Sequence, residues 1–120
     1  MNIAKIRDLI DEEIVFGEDR SNINVETAFV ADLMSDVLAF ATSGIVLITG
    51  LNNPQVVRTA DVPDIAAIIM GRGKRPSRET AQLAEKLNIP VLTTKYILFE
   101  ASGRLYSEGV RGCIERVTSK

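Results

Sequence analysis

Three short apolar runs, each followed by a segment long enough for a helix, constrain the fold most strongly. They are IVLIT at 45–49, IAAIIM at 65–70 and PVLTT at 90–94. Runs of this length that are rich in β-branched residues and free of charge are typical of strands buried on both faces. Strands that alternate with helices pair in parallel through right-handed crossovers. The pattern therefore predicts a three-layer α/β/α sandwich with a predominantly parallel (mixed) central sheet.

Capping residues mark where the helices between these strands begin. Asn53, which precedes a proline, predicts the start of one helix. Ser77 predicts the start of a second helix, which should end near Asn88. A third helix is expected from 95 to about 108, because its apolar residues recur at helical spacing and a glycine follows it.

The first third of the chain predicts two further helices and two further strands. We expect Asn2 to cap a short helix, and strands at 13–16 and 26–31. Asp32 is expected to cap the second helix, which has an unusually broad apolar stripe. The residues of that stripe are Leu33, Met34, Val37, Leu38 and Ala41.

Length, charge and cysteine content limit the class of protein. The 120 residues suit one domain over 1–120, in which 110–120 form either a final strand or a tail docked on a partner. The net charge of −2 argues against a nucleic-acid partner, and no apolar run is long enough to cross a membrane. One cysteine suits a reducing compartment, so we expect a cytoplasmic protein.

Histidine is absent from the sequence, and this restricts the chemistry. The commonest general acid/base and the commonest metal ligand are therefore missing. With a single cysteine, Cys113, structural zinc and a catalytic Cys-His or Ser-His-Asp group are excluded within one chain. We predict no catalytic residue, no metal, no cofactor and no enzymatic activity.

Three loops should lie at the carboxyl ends of the strands, where open parallel sheets bind ligands. Glycine lets backbone N–H groups approach an anion, and basic side chains neutralise it. The candidate ligand-binding residues are Gly50, Asn52, Asn53, Gly71, Arg72, Gly73, Lys74, Arg75, Thr93, Thr94 and Lys95. The alternative is a set of ordinary turns, since the GRGKR stretch meets neither the P-loop nor the dinucleotide fingerprint.

Two carboxylates, Asp32 and Asp36, are one helical turn apart, with Ser35 between them. At this spacing they form either a polar site or the cap and first turn of a helix. Phosphoryl transfer by Asp32, Asp36 and Lys74 or Lys95 is the third and weakest alternative for the function.

The helix expected at 95–108 contains Ala101, Ser102 and Gly103 in succession. Glycine inside a helix costs about 1 kcal/mol relative to alanine, so it often marks close approach by another backbone. Together with the broad stripe of the helix after Asp32, these small residues predict a homodimer.

Several phrases in order resemble the DRTGG domain family, over about residues 14–109. They are VADLMSDVLA, ITGLNNPQVVRTADVPDIAAII, GRGKRP and IPVLTTKYILFEASGRLYSEG. The sequence departs from the family at its namesake motif, because the glycine pair aligns with Thr27 and Ala28 and the Asp-Arg pair with Asn22 and Ile23. The alternative is that the nearby Asp19 and Arg20 are a shifted equivalent of the Asp-Arg pair.

The resemblance implies a fold similar to the N-terminal domain of HPr kinase/phosphorylase. It also implies a non-catalytic regulatory or interaction module, found alone or beside CBS domains, that dimerises and acts on a partner enzyme. The alternative is a protein that binds a nucleotide or another anionic, phosphorylated metabolite at the basic loop.

Overall fold

A computed structural model of the chain describes residues 1–11 and 14–117 and confirms the α/β class. The described residues form the helices α1 (Ile3–Ile10), α2 (Met34–Phe40), α3 (Pro54–Asp61), α4 (Arg78–Leu87) and α5 (Leu98–Ser107). The strands are β1 (Ile14–Phe16), β2 (Thr27–Val30), β3 (Val46–Thr49), β4 (Ala67–Met70), β5 (Val91–Thr93) and β6 (Arg111–Gly112). A single 3₁₀ turn at Glu18–Arg20 follows β1.

The strands of the described chain form one six-stranded sheet in the order β1-β5-β4-β3-β2-β6. All neighbours are parallel except β1 and β5, which are antiparallel, so the sheet is mixed as predicted. Thr49 pairs with Met70, and Met70 pairs with Thr93. The three strands expected from their apolar runs therefore end level with one another, and the loops that follow them lie at one edge.

Helix capping agrees with the sequence at three positions. The side chain of Asn2 accepts the N–H of Lys5, and that of Asn53 accepts the N–H of Val56. Ser77 caps α4, which ends at Asn88 in the left-handed conformation. These caps satisfy backbone donors that the first turn of each helix leaves free.

Two predicted helix starts are wrong. α5 begins at Leu98 instead of 95, because the Thr94 hydroxyl accepts the N–H of Tyr96, and the Tyr96 carbonyl accepts the N–H of Arg72. These bonds hold 95–97 out of the helix. The N-cap of α2 is Leu33 instead of Asp32, whose carboxylate binds elsewhere.

Two of the predicted segments include residues that the structure does not describe. Of the strand expected at 13–16, Ile14–Phe16 form β1 and residue 13 is not described. Of the segment 110–120, Arg111–Gly112 form β6 beside β2, and 118–120 are not described.

The core lies on both faces of the sheet. Helices α2, α3 and α4 cover one face, where Val37, Val57 and Ala84 pack on Leu47 and Ile68. Helices α1 and α5 cover the other, where the second set of buried side chains meets. That set includes Ile3, Ile6, Ile10, Val46, Ile48, Ile69, Leu92, Ala101 and Leu105. Both faces are apolar because strands buried on both sides carry apolar residues at successive positions.

Candidate functional site

The three loops at the carboxyl edge of the sheet are bonded to one another. Arg72 donates from its guanidinium to the carbonyl of Gly50 at 3.2 Å, and the N–H of Gly73 donates to the carbonyl of Thr94 at 2.9 Å. The amide of Asn52 donates to the carbonyl of Arg75 at 2.7 Å. The structure thus brings together the loops at 50–53, 71–75 and 93–95, as the sequence predicts.

Asp32 fastens the loop after β2 to the loop after β3. Its Oδ1 accepts the Thr49 hydroxyl at 2.9 Å and the N–H of Gly50 at 2.7 Å. Since Thr49 is fully buried, this carboxylate satisfies a hydroxyl that has no access to water. The carboxylate also occupies a glycine N–H that the sequence suggests for an external anion.

The Arg72 guanidinium lies against the backbone of Gly50. A Cβ at this position would lie 2.7 Å from Nε of Arg72. Arg72 itself has φ 60° and Gly73 has φ 74°, so two successive residues are left-handed. The turn therefore places the Arg72 guanidinium against Gly50, and Gly73 suits the left-handed conformation that the turn requires.

Most of the backbone N–H groups in these loops donate to acceptors within the protein. Gly71 donates to the Thr49 carbonyl, Arg72 to that of Tyr96, and Lys74 to that of Gly71. A cradle of free N–H groups, as in a P-loop, is therefore not formed by these residues. An anion at this edge would be bound by side chains, among which Lys74 and Lys95 are exposed.

The remaining polar candidates at the edge differ in their surroundings. The Thr94 hydroxyl donates to the carbonyl of Ile10 at 2.8 Å and is structural. The Thr93 hydroxyl is buried and has no hydrogen-bond partner among the residues that the structure describes. Asn53 serves as the cap of α3, with its side chain on the N–H of Val56 at 3.3 Å.

The polar cluster suggested around α2 is divided by the structure. Ser35 is exposed and Asp36 is half-buried in the first turn of the helix, while Oδ1 of Asp32 is held by Thr49 and Gly50. Across residues 1–11 and 14–117, no group of three or more acidic or cysteine side chains has the arrangement of a metal site.

A groove that the sequence did not reveal lies on the α1/α5 face, next to β2 and β6. Its volume is about 560 Å³. The groove is lined by Ala28, Phe29, Val30, Ile48, Ser102, Leu105, Tyr106, Val110, Arg111, Gly112, Ile114 and Glu115. It forms because two helices do not cover six strands, so the outer part of β2 is left open. No signal in the sequence marked the groove, because Val30 is apolar like Phe29 and Ala31 beside it, and only the structure shows that it is exposed.

The outward face of α5 continues this apolar surface. Phe99, Ser102, Gly103 and Tyr106 follow one another at i, i+3, i+4 and i+7, which places them on one side of the helix. Phe99 is 84% exposed, which is unusual for phenylalanine. A Cβ added at Gly103 would meet nothing within 4 Å. The close approach expected at Gly103 is therefore absent within the described chain, although Ala101 does belong to the core.

The fold and these surfaces define a small α/β module. The polar loops at the carboxyl edge of its sheet are hydrogen-bonded to one another, and the groove beside α5 is mainly apolar. The sequence matches the DRTGG domain family over residues 5–107, and the chain belongs to this family. Thr27 and Ala28, the positions predicted to correspond to the family's glycine pair, lie in β2 and pair with Arg111 and Gly112. No curated protein matches the chain.

A solved structure with a similar fold contains the CBS and DRTGG domains of the regulatory region of Clostridium perfringens pyrophosphatase. That structure is a complex with its activator, diadenosine tetraphosphate. The TM-score is 0.73 and the sequence identity is 25%, over 87% of this chain. The match covers 45% of the pyrophosphatase chain, so this chain spans less than half of it. Among the described helices, none has the length and apolar character needed to cross a membrane.

Proposed function

We propose that this chain is a non-catalytic regulatory module that acts by contact, as a homodimer that engages a partner enzyme. The observation that carries this proposal is the uncovered apolar surface on the α1/α5 face. Tyr106 is 60% exposed there, and Val30 is 43% exposed at the edge of the groove. Family membership and the likeness to a pyrophosphatase regulatory region support a regulatory role.

The physical reason is the cost of leaving such a surface in water. Burying apolar surface contributes roughly 25 cal/mol per Å², and contiguous exposed apolar patches mark interaction sites in soluble proteins. The loops at the carboxyl edge of the sheet also favour a role in contact. Oδ1 of Asp32 and the backbone N–H groups of Gly71 and Arg72 all form hydrogen bonds within the protein. The described residues thus favour contact over catalysis.

Sedimentation of the purified chain tests the homodimer. We expect a species of twice the chain mass of 13.1 kDa at micromolar concentration. Raising the salt concentration should change the dimer population little, because the exposed surface is mainly apolar and salt acts on charges. A single species near the chain mass would contradict the homodimer.

A second function, binding of a nucleotide or another phosphorylated metabolite, has its own support. The loops at 50–53, 71–75 and 93–95 meet at one edge and carry exposed lysines, and the similar regulatory region was crystallised with a dinucleotide polyphosphate. Any such ligand would be anionic, and Lys74 and Lys95 would neutralise it.

Thermal or chemical unfolding with a panel of nucleotides and acyl phosphates tests this second function. A ligand at about 100 times its Kd should add about 2.7 kcal/mol to the free energy of unfolding. The variant Lys74→Ala/Lys95→Ala should lose this stabilisation, whereas Lys86→Ala, in the last turn of α4, should keep it. Equal stabilisation in both variants would place the ligand elsewhere.

A further inference from the structure

We infer that α5 and the groove beside it bind the same surface of a second copy, about a twofold axis that passes beside α5 at the level of Ser102 and Gly103. This inference rests on the homodimer proposed above, because it names the surface through which that homodimer forms. Phe99 of each copy packs against Tyr106 of the other, at the mouth of its groove.

The first argument is that one surface carries both a projection and a recess. Phe99 projects with 84% of its surface exposed, and the groove of about 560 Å³ begins beside Ser102 and Tyr106 on the same side of α5. In a twofold contact the same patch serves both partners, so it must be complementary to itself. A surface with a separate projection and recess meets this requirement, whereas a partner of another kind would need only one of them.

The second argument is the order of residues along α5. A twofold axis at right angles to the helix, between Ser102 and Gly103, sets the two copies of α5 antiparallel and places Phe99 opposite Tyr106. At 1.5 Å per residue, each of these two side chains lies roughly 5 Å from the axis along the helix. Helices usually pack 8–10 Å apart, and small residues at the crossing point permit the closer end of that range. Gly103, where no neighbouring atom lies within 4 Å of an added Cβ, occupies that crossing point.

The third argument is charge. The groove is bordered by Arg111 and Glu115. The Arg111 guanidinium lies 4.3 Å from the centre of the Tyr106 ring and donates to the carbonyls of Tyr106 and Val110. Within the described part of the chain, neither Arg111 nor Glu115 forms an ion pair. A border with both signs attracts its own copy when Arg111 faces Glu115, whereas a border of one sign would repel it.

Gly103→Arg tests the inference without threatening the fold of the monomer. The added side chain enters open space, and replacing a helical glycine raises helix propensity, so the isolated chain should keep its unfolding midpoint or gain slightly. At the crossing point the same side chain would hold the two helices apart. We expect the dimer dissociation constant to rise at least about 30-fold, the size of a hot-spot loss.

Gln82→Arg is the matched control, because it adds the same side chain to an exposed position of α4 on the other face of the sheet. This variant should dimerise like the wild type. A wild-type dimer that persists in Gly103→Arg would overturn the surface and leave the homodimer standing. A wild-type chain that sediments as a single species near 13.1 kDa would overturn both.

A cross-link gives a positive readout. In a Cys113→Ser background, Gly103→Cys places two thiols beside the twofold axis, within the Cα separation that a disulfide requires. We expect an oxidised, covalent dimer under native conditions and none from Gln82→Cys in the same background. Equal cross-linking of the two variants would mean collision instead of a defined contact, and would contradict the inference.

Discussion

The two faces of the sheet differ in how completely helices cover them. On one face, α2, α3 and α4 enclose a core in which Leu47 and Ile68 are fully buried. On the other, α1 and α5 enclose a comparable core over β3, β4 and β5 but leave β2 open beside α5. The groove therefore results from having two helices where three would fit. Both cores stabilise the monomer, and the groove and the exposed side chains of Phe99 and Tyr106 lie on the open face.

The largest expected effect contrasts one substitution from each face. Leu47→Ala removes a fully buried side chain from the covered face, and should lower the free energy of unfolding by about 2–5 kcal/mol. Val30→Ala, at the groove, should cost less than about 1 kcal/mol because Val30 is already 43% exposed. Urea unfolding of the isolated chain below its dimer dissociation constant measures both. Equal losses would mean that the open face is covered in the monomer too.

The second effect concerns the hydrogen bonds by which Asp32, after β2, holds the loop after β3. Asp32→Ala leaves the buried Thr49 hydroxyl and the Gly50 N–H without their acceptor, and should cost about 1–3 kcal/mol. Asp36→Ala is the control, since Asp36 contributes a helix-dipole interaction worth about 0.3–1 kcal/mol. Urea unfolding measures both free energies. If Asp36→Ala lowers the free energy of unfolding more than Asp32→Ala does, the structural role of the Asp32 hydrogen bonds is contradicted.

The difference between these two aspartates shows where sequence reasoning succeeds. The strands and the caps at Asn2, Asn53 and Ser77 were predictable because they depend on residues within four positions of each other. Asp32 was misassigned because its partners are 17 and 18 residues away. An aspartate before an apolar stretch looks the same in the sequence whether its carboxylate caps the helix that follows or binds a loop that is distant along the chain.

The candidate site illustrates the same limit. The convergence of three loops follows from strand order and was predictable, whereas the use of their N–H groups was not. The carbonyls of Thr94 and Tyr96, which accept two of these N–H groups, come from a loop more than 20 residues along the chain. The groove was also unpredictable, since it depends on how far the helices extend over the strands of the sheet.

The smallest expected effect is on the dimer dissociation constant, through the charges of Arg111 and Glu115 at the border of the groove. Glu115→Arg should weaken self-association by about 2- to 30-fold, because an exposed ion pair contributes about 0.2–1 kcal/mol and two equivalent pairs are lost. Arg111→Glu should weaken it by at least as much, since Arg111 also packs on Tyr106.

An equimolar mixture of the two variants places every reversed charge opposite its complement, so the mixed dimer should form more tightly than either variant alone. Glu85→Arg, on exposed α4, should leave the dissociation constant unchanged. Sedimentation at low and high salt measures these constants, and the preference for the mixed dimer should shrink as salt screens the charges. Mixed and unmixed dimers of equal strength would show that Arg111 and Glu115 do not face each other, and that the open face binds through its apolar residues alone.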